Sequence, residues 1–185
     1  MVRAWPRGAV AGHAIGTARA VNTHDIAIRA LTLDDAAFLP EIVYHAIHVA
    51  PGAQPPPHSI VNEPDVARYV CGWGRSGDYG ALAYDAKTHD RAGAAWLRLF
   101  TAADPAYGFV AEDIPEISIA LFPGYRNRGV GTRLIEDLVA HATPLYPALS
   151  LAVVDTNPAI RLYQRIGFTP VAIDGHSITM RLDLR

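Results

Sequence analysis

Arg126, Gly129 and Gly131 are the residues of this chain whose types and spacing most directly imply chemistry. They stand in Pro123-Gly124-Tyr125-Arg126-Asn127-Arg128-Gly129-Val130-Gly131-Thr132, after a strand-like run from Ile114 to Phe122. Beyond the loop, Val130, Leu134, Ile135, Leu138, Val139 and Ala142 share one helical face. A strand, a tight loop and a helix in that order present unpaired N–H groups, and the positive end of a helix dipole, to whatever sits above the loop. Glycines let the backbone approach a ligand closely, and a neighbouring guanidinium adds a bidentate donor. This is an anion site, most naturally for phosphate. It is neither the phosphate loop ending in Gly-Lys-Ser/Thr nor the Gly-x-Gly-x-x-Gly of dinucleotide folds, because no third glycine or lysine follows.

The elements that must position this loop can be read in chain order. Ile26 to Leu31 alternates as a strand, and Thr32-Leu33-Asp34-Asp35 supplies capping residues for a helix carrying Phe38, Leu39, Ile42, Val43 and Ala46. Pro40 inside that pattern implies a kink or two joined segments. The proline-dense run Ala50 to Ser59 is irregular, and a second short helix starts near Asn62-Glu63-Pro64 and runs to about Val70. Strands are expected at Tyr79 to Asp85 and Ala92 to Phe100, then a loop from Ala102 to Asp113, then the central strand Ile114 to Phe122. After the anion-site helix come a strand at Ala148 to Val154 and a helix opened by Asn157-Pro158 and closed by Gly167. An antiparallel pair, Phe168 to Ile173 and Ser177 to Leu184, ends the chain. The order β-α-α-β-β-β-α-β-α-β-β predicts an α/β fold with a mixed sheet and helices on both faces.

The loop resembles the acyl-CoA pyrophosphate loop of the Gcn5-related N-acetyltransferases (GNAT superfamily). The stretch Asn157-Pro158-Ala159-Ile160-Arg161-Leu162-Tyr163-Gln164-Arg165-Ile166-Gly167-Phe168 is similar to that family's Asn-x-x-Ala-x-x-Leu-Tyr-x-x-x-Gly-Phe signature, with Ala159 one place early. The resemblance covers about residues 26 to 184 and implies transfer of an acetyl group from acetyl-CoA to a primary amine, by direct attack in a ternary complex. It implies that the backbone of Arg128, Gly129, Val130, Gly131 and Thr132, with the Arg126 side chain, holds the pyrophosphate. The strand before the loop is then bulged and splayed from its neighbour, so that Ile119, Ala120 and Leu121 pair with the pantetheine arm. The same splay leaves an oxyanion donor at the N–H of Ala120 or a neighbour. Tyr163 matches the group that protonates the departing thiolate, or that stabilises it by a hydrogen bond. Asn157 serves as N-cap and cofactor contact. An attacking ammonium must first lose a proton, and Glu116 has the placement of the base in several members; Glu112, Asp113 and His176 are further candidates. Tyr107 is placed to line the acceptor cleft, which the loop between the first two helices commonly borders.

A chain of 185 residues, half of them hydrophobic, buries a real core and fits one domain, taken as residues 25–185 after an acid-free, Ala- and Arg-rich extension over 1–24. The formal charge of −2 gives no general pull toward nucleic acid or membrane, and no apolar run approaches a spanning helix. A lone Cys71 excludes an intramolecular disulfide and suits a reducing cytoplasm. His13, His24, His45, His48 and His58 lack tight ligand spacing, so no metal is expected. The acceptor, a small-molecule or peptide amine, is not encoded in any readable motif, and a homodimer stays open. Two rival readings use the same loop: a non-catalytic acyl-CoA-binding or regulatory module, and a nucleotide or polyphosphate binder.

Overall fold

The computed structural model describes residues 25–50 and 52–184. The expected extension over 1–24, with His13 and His24, lies outside them. Strands β1 (Ile26–Ala30), β2 (Tyr79–Asp85), β3 (Arg91–Arg98), β4 (Glu116–Leu121), β5 (Ala148–Val154), β6 (Thr169–Asp174) and β7 (Ser177–Asp183) form one sheet in the order β1-β2-β3-β4-β5-β7-β6. Each neighbouring pair is antiparallel except β4 with β5, which run parallel. Helices α1 (Leu39–Ala46) and α2 (Pro64–Ala67) follow β1; α3 (Val130–Ala142) and α4 (Ile160–Ile166) flank β5 in sequence. The predicted element order is the observed one, with 3-10 turns added at Leu33–Phe38, His58–Asn62 and Pro123–Tyr125.

Alternation along the strands splits the core into two layers. Leu82, Ala94, Trp96 and Ala120 face α1 and the turns around α2, where they meet Leu39, Ile42, Val43 and Val66. Ala81, Ala83, Ala95, Leu97 and Ile117 face the other way, against α3 and the side chains of Tyr163 and Phe168. The helical face expected on α3 is the one it buries: Val130, Leu134, Ile135, Leu138 and Ala142 are fully enclosed. Among the described residues no helix is long and apolar enough to cross a membrane.

Thr32 and Asp35 form the expected capping box, and Arg29 grips the same carboxylate at 2.7 and 2.9 Å, holding its pKa well below the usual range. The segment that Pro40 was expected to interrupt is two joined pieces, a 3-10 turn to Phe38 and then α1 with the proline in its first turn. Helix α2 is shorter than the expectation of about Val70. It ends at Ala67 and gives way to turns that pass through the left-handed glycines Gly72 and Gly74. The helix expected to open at Asn157-Pro158 begins at Ile160; Asn157 stands ahead of it and accepts the Ala159 N–H at 2.9 Å. Gly167, at φ 113, closes it, with the Phe168 N–H bonded back to the Tyr163 carbonyl at 3.0 Å.

Candidate active site

The site is built where β4 leaves β5. At the start of the two strands the Ser150 N–H donates to the Pro115 carbonyl at 3.0 Å, and Glu116 stands opposite Ser150. Beyond that rung no further pairing of β4 with β5 is formed among the described residues. On its other side β4 stays in continuous register with β3, from Arg98↔Glu116 to Gly93↔Leu121. The splay implied by the resemblance is therefore present. The bulge is not in β4; on this side of the sheet the register shift falls between β2 and β3, where the consecutive Ala83 and Tyr84 pair with Gly93 and Arg91 and leave Ala92 of β3 as the extra residue.

Register also decides which groups of β4 face the gap. The Phe122 N–H donates to the Ala92 carbonyl at 3.0 Å, so Phe122, Ala120 and Ser118 spend their backbone groups on β3. Ile119 and Leu121, the alternate residues, turn theirs toward the opening. Of the three residues expected to meet a pantetheine arm, Ala120 is thus committed to the ladder while Ile119 and Leu121 flank the gap. The Leu121 carbonyl accepts from Nε of the exposed Arg126 at 2.9 Å, which folds the guanidinium back over the mouth of the gap.

The expected loop follows at once. Gly129 adopts φ 75, and a Cβ built there would meet nothing within 4 Å, so the space above the turn is open. The first bond up the helix runs from the Arg133 N–H to the Gly129 carbonyl at 3.2 Å. The amides of Val130, Gly131 and Thr132 therefore precede the helical ladder and are disposed toward that space. Arg128 is half-buried beside them. From Thr132 a groove of about 470 Å³ continues between α3 and α4, past Val139 and Leu162, with Glu136 and Arg165 on its rim.

Glu116 opens β4 and is 3 % exposed. Burial raises its carboxyl to about 7, against the opposing pull of hydrogen bonds from Tyr69 and Gly108 and of the charge on Arg68. The Tyr69 hydroxyl donates to Oε1 at 3.0 Å and the Gly108 N–H donates to Oε2 at 2.9 Å. Gly108 lies so close to this group that an added Cβ would stand 2.8 Å from the Glu116 carboxyl carbon and 2.6 Å from the backbone of Leu151. The other candidate bases lie elsewhere. Glu112, exposed, accepts the Ala102 N–H at 2.9 Å; Asp113 is exposed; His176 lies at the surface, its Nδ1 2.8 Å from Asp155.

Tyr163 is 7 % exposed and packs on the layer that holds Ile117, Leu151 and Val153, residues of both strands bordering the gap. Burial pushes its phenol up to about 12, and among the described residues its hydroxyl has no hydrogen-bond partner. His45 and Phe122 meet edge to face, 4.9 Å between centroids, and His45 bonds Glu41 at 3.2 Å; His58 stacks on Tyr44 at 3.8 Å. Both sit on the α1 side, along the loop expected to border an acceptor. The Tyr107 N–H, expected in the cleft lining, donates to the Tyr69 hydroxyl at 3.0 Å.

Tyr69, Gly108 and the buried pair Arg98–Asp78 were not legible as parts of a site. Arg98 offered one visible signal, a charge on the inward face of an otherwise apolar strand beside Ala94 and Trp96. It is fully buried, bonds Asp78 at 2.6 and 3.0 Å, and donates from Nη1 to the carbonyls of Arg68 and Cys71 at 2.9 and 2.8 Å.

Fold and site together define a class: a mixed sheet parted between two parallel strands, with a glycine turn and helix N-terminus at the mouth of the gap and a buried carboxyl at its apex. The chain belongs to the acetyltransferase (GNAT) family, whose family model matches residues 53–168. No curated protein matches the chain by sequence. Among solved structures, the Salmonella typhimurium protein yncA with its cofactor acetyl-CoA is similar at 20 % identity and a TM-score of 0.59, covering 87 % of this chain and 95 % of that one. A phosphinothricin acetyltransferase of Sinorhizobium meliloti, in complex with acetyl-CoA, matches at 19 % identity and a TM-score of 0.61, over 86 % of this chain and 88 % of that one. The spermidine/spermine N-acetyltransferase SpeG of Vibrio cholerae matches at 16 % identity and a TM-score of 0.54, over 88 % and 94 % respectively.

Proposed function

We propose that this acetyltransferase is an N-acetyltransferase, moving an acetyl group from acetyl-CoA to a primary amine by direct attack in a ternary complex. The observation that carries the reading is the buried Glu116 at the point where β4 leaves β5. An amine with a pKa near 10 is protonated at neutral pH and must lose a proton before it attacks. A carboxyl raised to about 7 by burial is suited to take that proton.

The amides of Gly129, Val130, Gly131 and Thr132, with the side chain of Arg126 and the backbone of Arg128, hold the pyrophosphate, and the groove between α3 and α4 takes the adenosine end. Arg126 exchanges its bond to the Leu121 carbonyl for the phosphate, which frees that carbonyl for the pantetheine amide. Ile119, whose N–H faces the gap, donates to the carbonyl oxygen as it gains charge. The neutral nitrogen forms the new C–N bond, the C–S bond breaks with the thiolate departing toward Tyr163, and the proton that the nitrogen sheds in becoming an amide goes to the sulfur to give the free thiol. A phenol near 12 handing its proton to a thiolate whose thiol lies near 8.5 would climb about 5 kcal/mol. Tyr163 therefore stabilises the sulfur by a hydrogen bond rather than by full transfer. Asn157, occupied with the Ala159 amide, holds the start of α4 and hence Tyr163 in place.

The two acceptors named among the fold relatives, spermidine/spermine and phosphinothricin, differ from each other, so the acceptor class is decided by experiment. Thiol release from acetyl-CoA is measured across amines, amino acids, aminoglycosides and N-terminal peptides, with Tyr163→Phe alongside. Release on one acceptor class, reduced roughly 10²-fold in the variant while acetyl-CoA still binds, is the expected result. Binding of acetyl-CoA without release on any acceptor would favour a non-catalytic module instead. Equal competition by ATP would favour the polyphosphate reading.

A further inference from the structure

We propose that Tyr69 is the positioning residue of the base: it fixes the Glu116 carboxylate in its buried site and sets the pH above which that carboxylate is available. The inference rests on Glu116 acting as the base. Tyr69 lies outside the loop and both sequence motifs, in the turns that follow α2, 47 residues ahead of the group it serves. Its hydroxyl makes two bonds at once, donating to Glu116 Oε1 at 3.0 Å and accepting the Tyr107 N–H at 3.0 Å. One phenol therefore ties the start of β4 to the loop that covers it. Because the Tyr107 N–H can only donate, the Tyr69 proton is directed at the carboxylate, with no competing acceptor at that end.

The main chain that carries the phenol is itself held from two sides. Trp96 Nε1 donates to the Tyr69 carbonyl at 3.0 Å, and Arg98 Nη1 donates to the carbonyls of Arg68 and Cys71 on either side of it. Both clamps rise from β3, the strand next to β4, so the ring is referenced to the same sheet as Glu116. The ring also meets Phe100 edge-on, with centroids 5.5 Å apart. The neighbouring Arg68 reaches over to the Pro105 carbonyl at 2.6 Å and to Asp104 at 2.8 Å, pinning the near end of the covering loop. A residue held at its main-chain carbonyl, its ring and its hydroxyl lacks the freedom of ordinary core packing, and these restraints aim its hydroxyl at one carboxylate.

The groups facing Glu116 can be named element by element. From the turns after α2 come the Tyr69 hydroxyl and the charge of Arg68; from β3, Arg98 at the opposite register position, its guanidinium already bound to Asp78. From the covering loop come the Gly108 N–H and Tyr107; from β5, Ser150, whose buried hydroxyl has no partner among the described residues. Of these, Tyr69 is the one side chain that donates a hydrogen bond to the carboxylate, so its hydroxyl can be removed with the surrounding charges left in place.

The test is Tyr69→Phe, which keeps the ring and both clamps and deletes the hydroxyl. Glu116 is titrated directly by carbon NMR on protein labelled at glutamate side chains, and the pH dependence of kcat/KM is measured for wild type, Tyr69→Phe and Glu116→Gln. Losing one hydrogen bond to a charged group should move the Glu116 titration and the acidic limb of the rate profile together, by about one pH unit toward alkaline. Activity of the variant then falls about tenfold below the limb and returns to within a few-fold of wild type above it. A Glu116 titration that stays put in a variant with unchanged thermal unfolding would overturn the proposal. If the titration moves while the limb does not, and Glu116→Gln keeps its rate, the base assignment fails and Tyr69 loses its role in the reaction. The two failures are distinguished by the NMR arm, which needs no turnover.

Discussion

Glu116→Gln should remove the proposed base and at the same time make the fold more stable in alkali. Glu116 is raised from about 4.5 to about 7 on folding because its carboxylate is withdrawn from water. Its folded pKa lies above its unfolded one, so the native state binds the proton more tightly. The stability this contributes is fully present below about pH 4.5 and is lost as pH rises through about 7. With about 1.4 kcal/mol per pH unit, ionising the buried group costs the wild type roughly 3 kcal/mol at pH 8.5 relative to pH 4.5. Gln has the same shape, never ionises, and keeps an oxygen for the Gly108 N–H. Urea unfolding of both proteins at several pH values is the assay. The two stabilities should be similar near pH 4, diverge most steeply between about pH 4.5 and 7, and level off above that. By about pH 8.5 the variant should be ahead by up to about 3 kcal/mol, or about 6–12 °C in melting temperature for a domain of this size. A difference that does not change with pH, or a variant less stable at pH 8.5, would refute the account of how this carboxyl is held.

Two further outcomes follow from other parts of the structure. Arg98→Met leaves Asp78, 1 % exposed at its side chain, as a buried charge and strips the Arg68 and Cys71 carbonyls of their donor; a loss of about 3–5 kcal/mol in chemical denaturation is expected, and less than about 1 would show the clamp to be dispensable. Arg126→Gln should weaken acetyl-CoA binding about tenfold by calorimetry, with the effect shrinking at high salt; an unchanged Kd would take Arg126 out of the pyrophosphate site.

What could be read from the sequence was what local rules decide. The spacing on α3, the capping pair Thr32 and Asp35, the glycine at φ 75 and the glycine ending α4 each depend on neighbours within a turn or two. The same holds for Glu116, whose place is fixed by its distance from the loop. Whether that glutamate was solvated or enclosed was not readable, because the answer lies in Tyr69 and Gly108, brought to it by tertiary packing. The commitment of Ala120 to β3 was equally hidden, since facing direction in a strand turns on register with its partner, and a shift of one residue reverses it. α2 fell short of Val70 because the chain after it is shaped by the buried Arg98 reaching for its carbonyls, a contact set by residues about 30 apart.

The parting of β4 from β5 makes the seven strands two plates, β1–β4 and β5–β7–β6, that share a single rung at Glu116 and Ser150 among the described residues. Each plate is laddered within itself, with one register shift apiece, so the seam is the compliant line of the molecule. A ligand lodged along Ile119 and Leu121 would act as a strut, supplying the missing hydrogen-bonding edge and bracing one plate against the other. Amide exchange along that edge, rather than in the core of either plate, is where such bracing would register first.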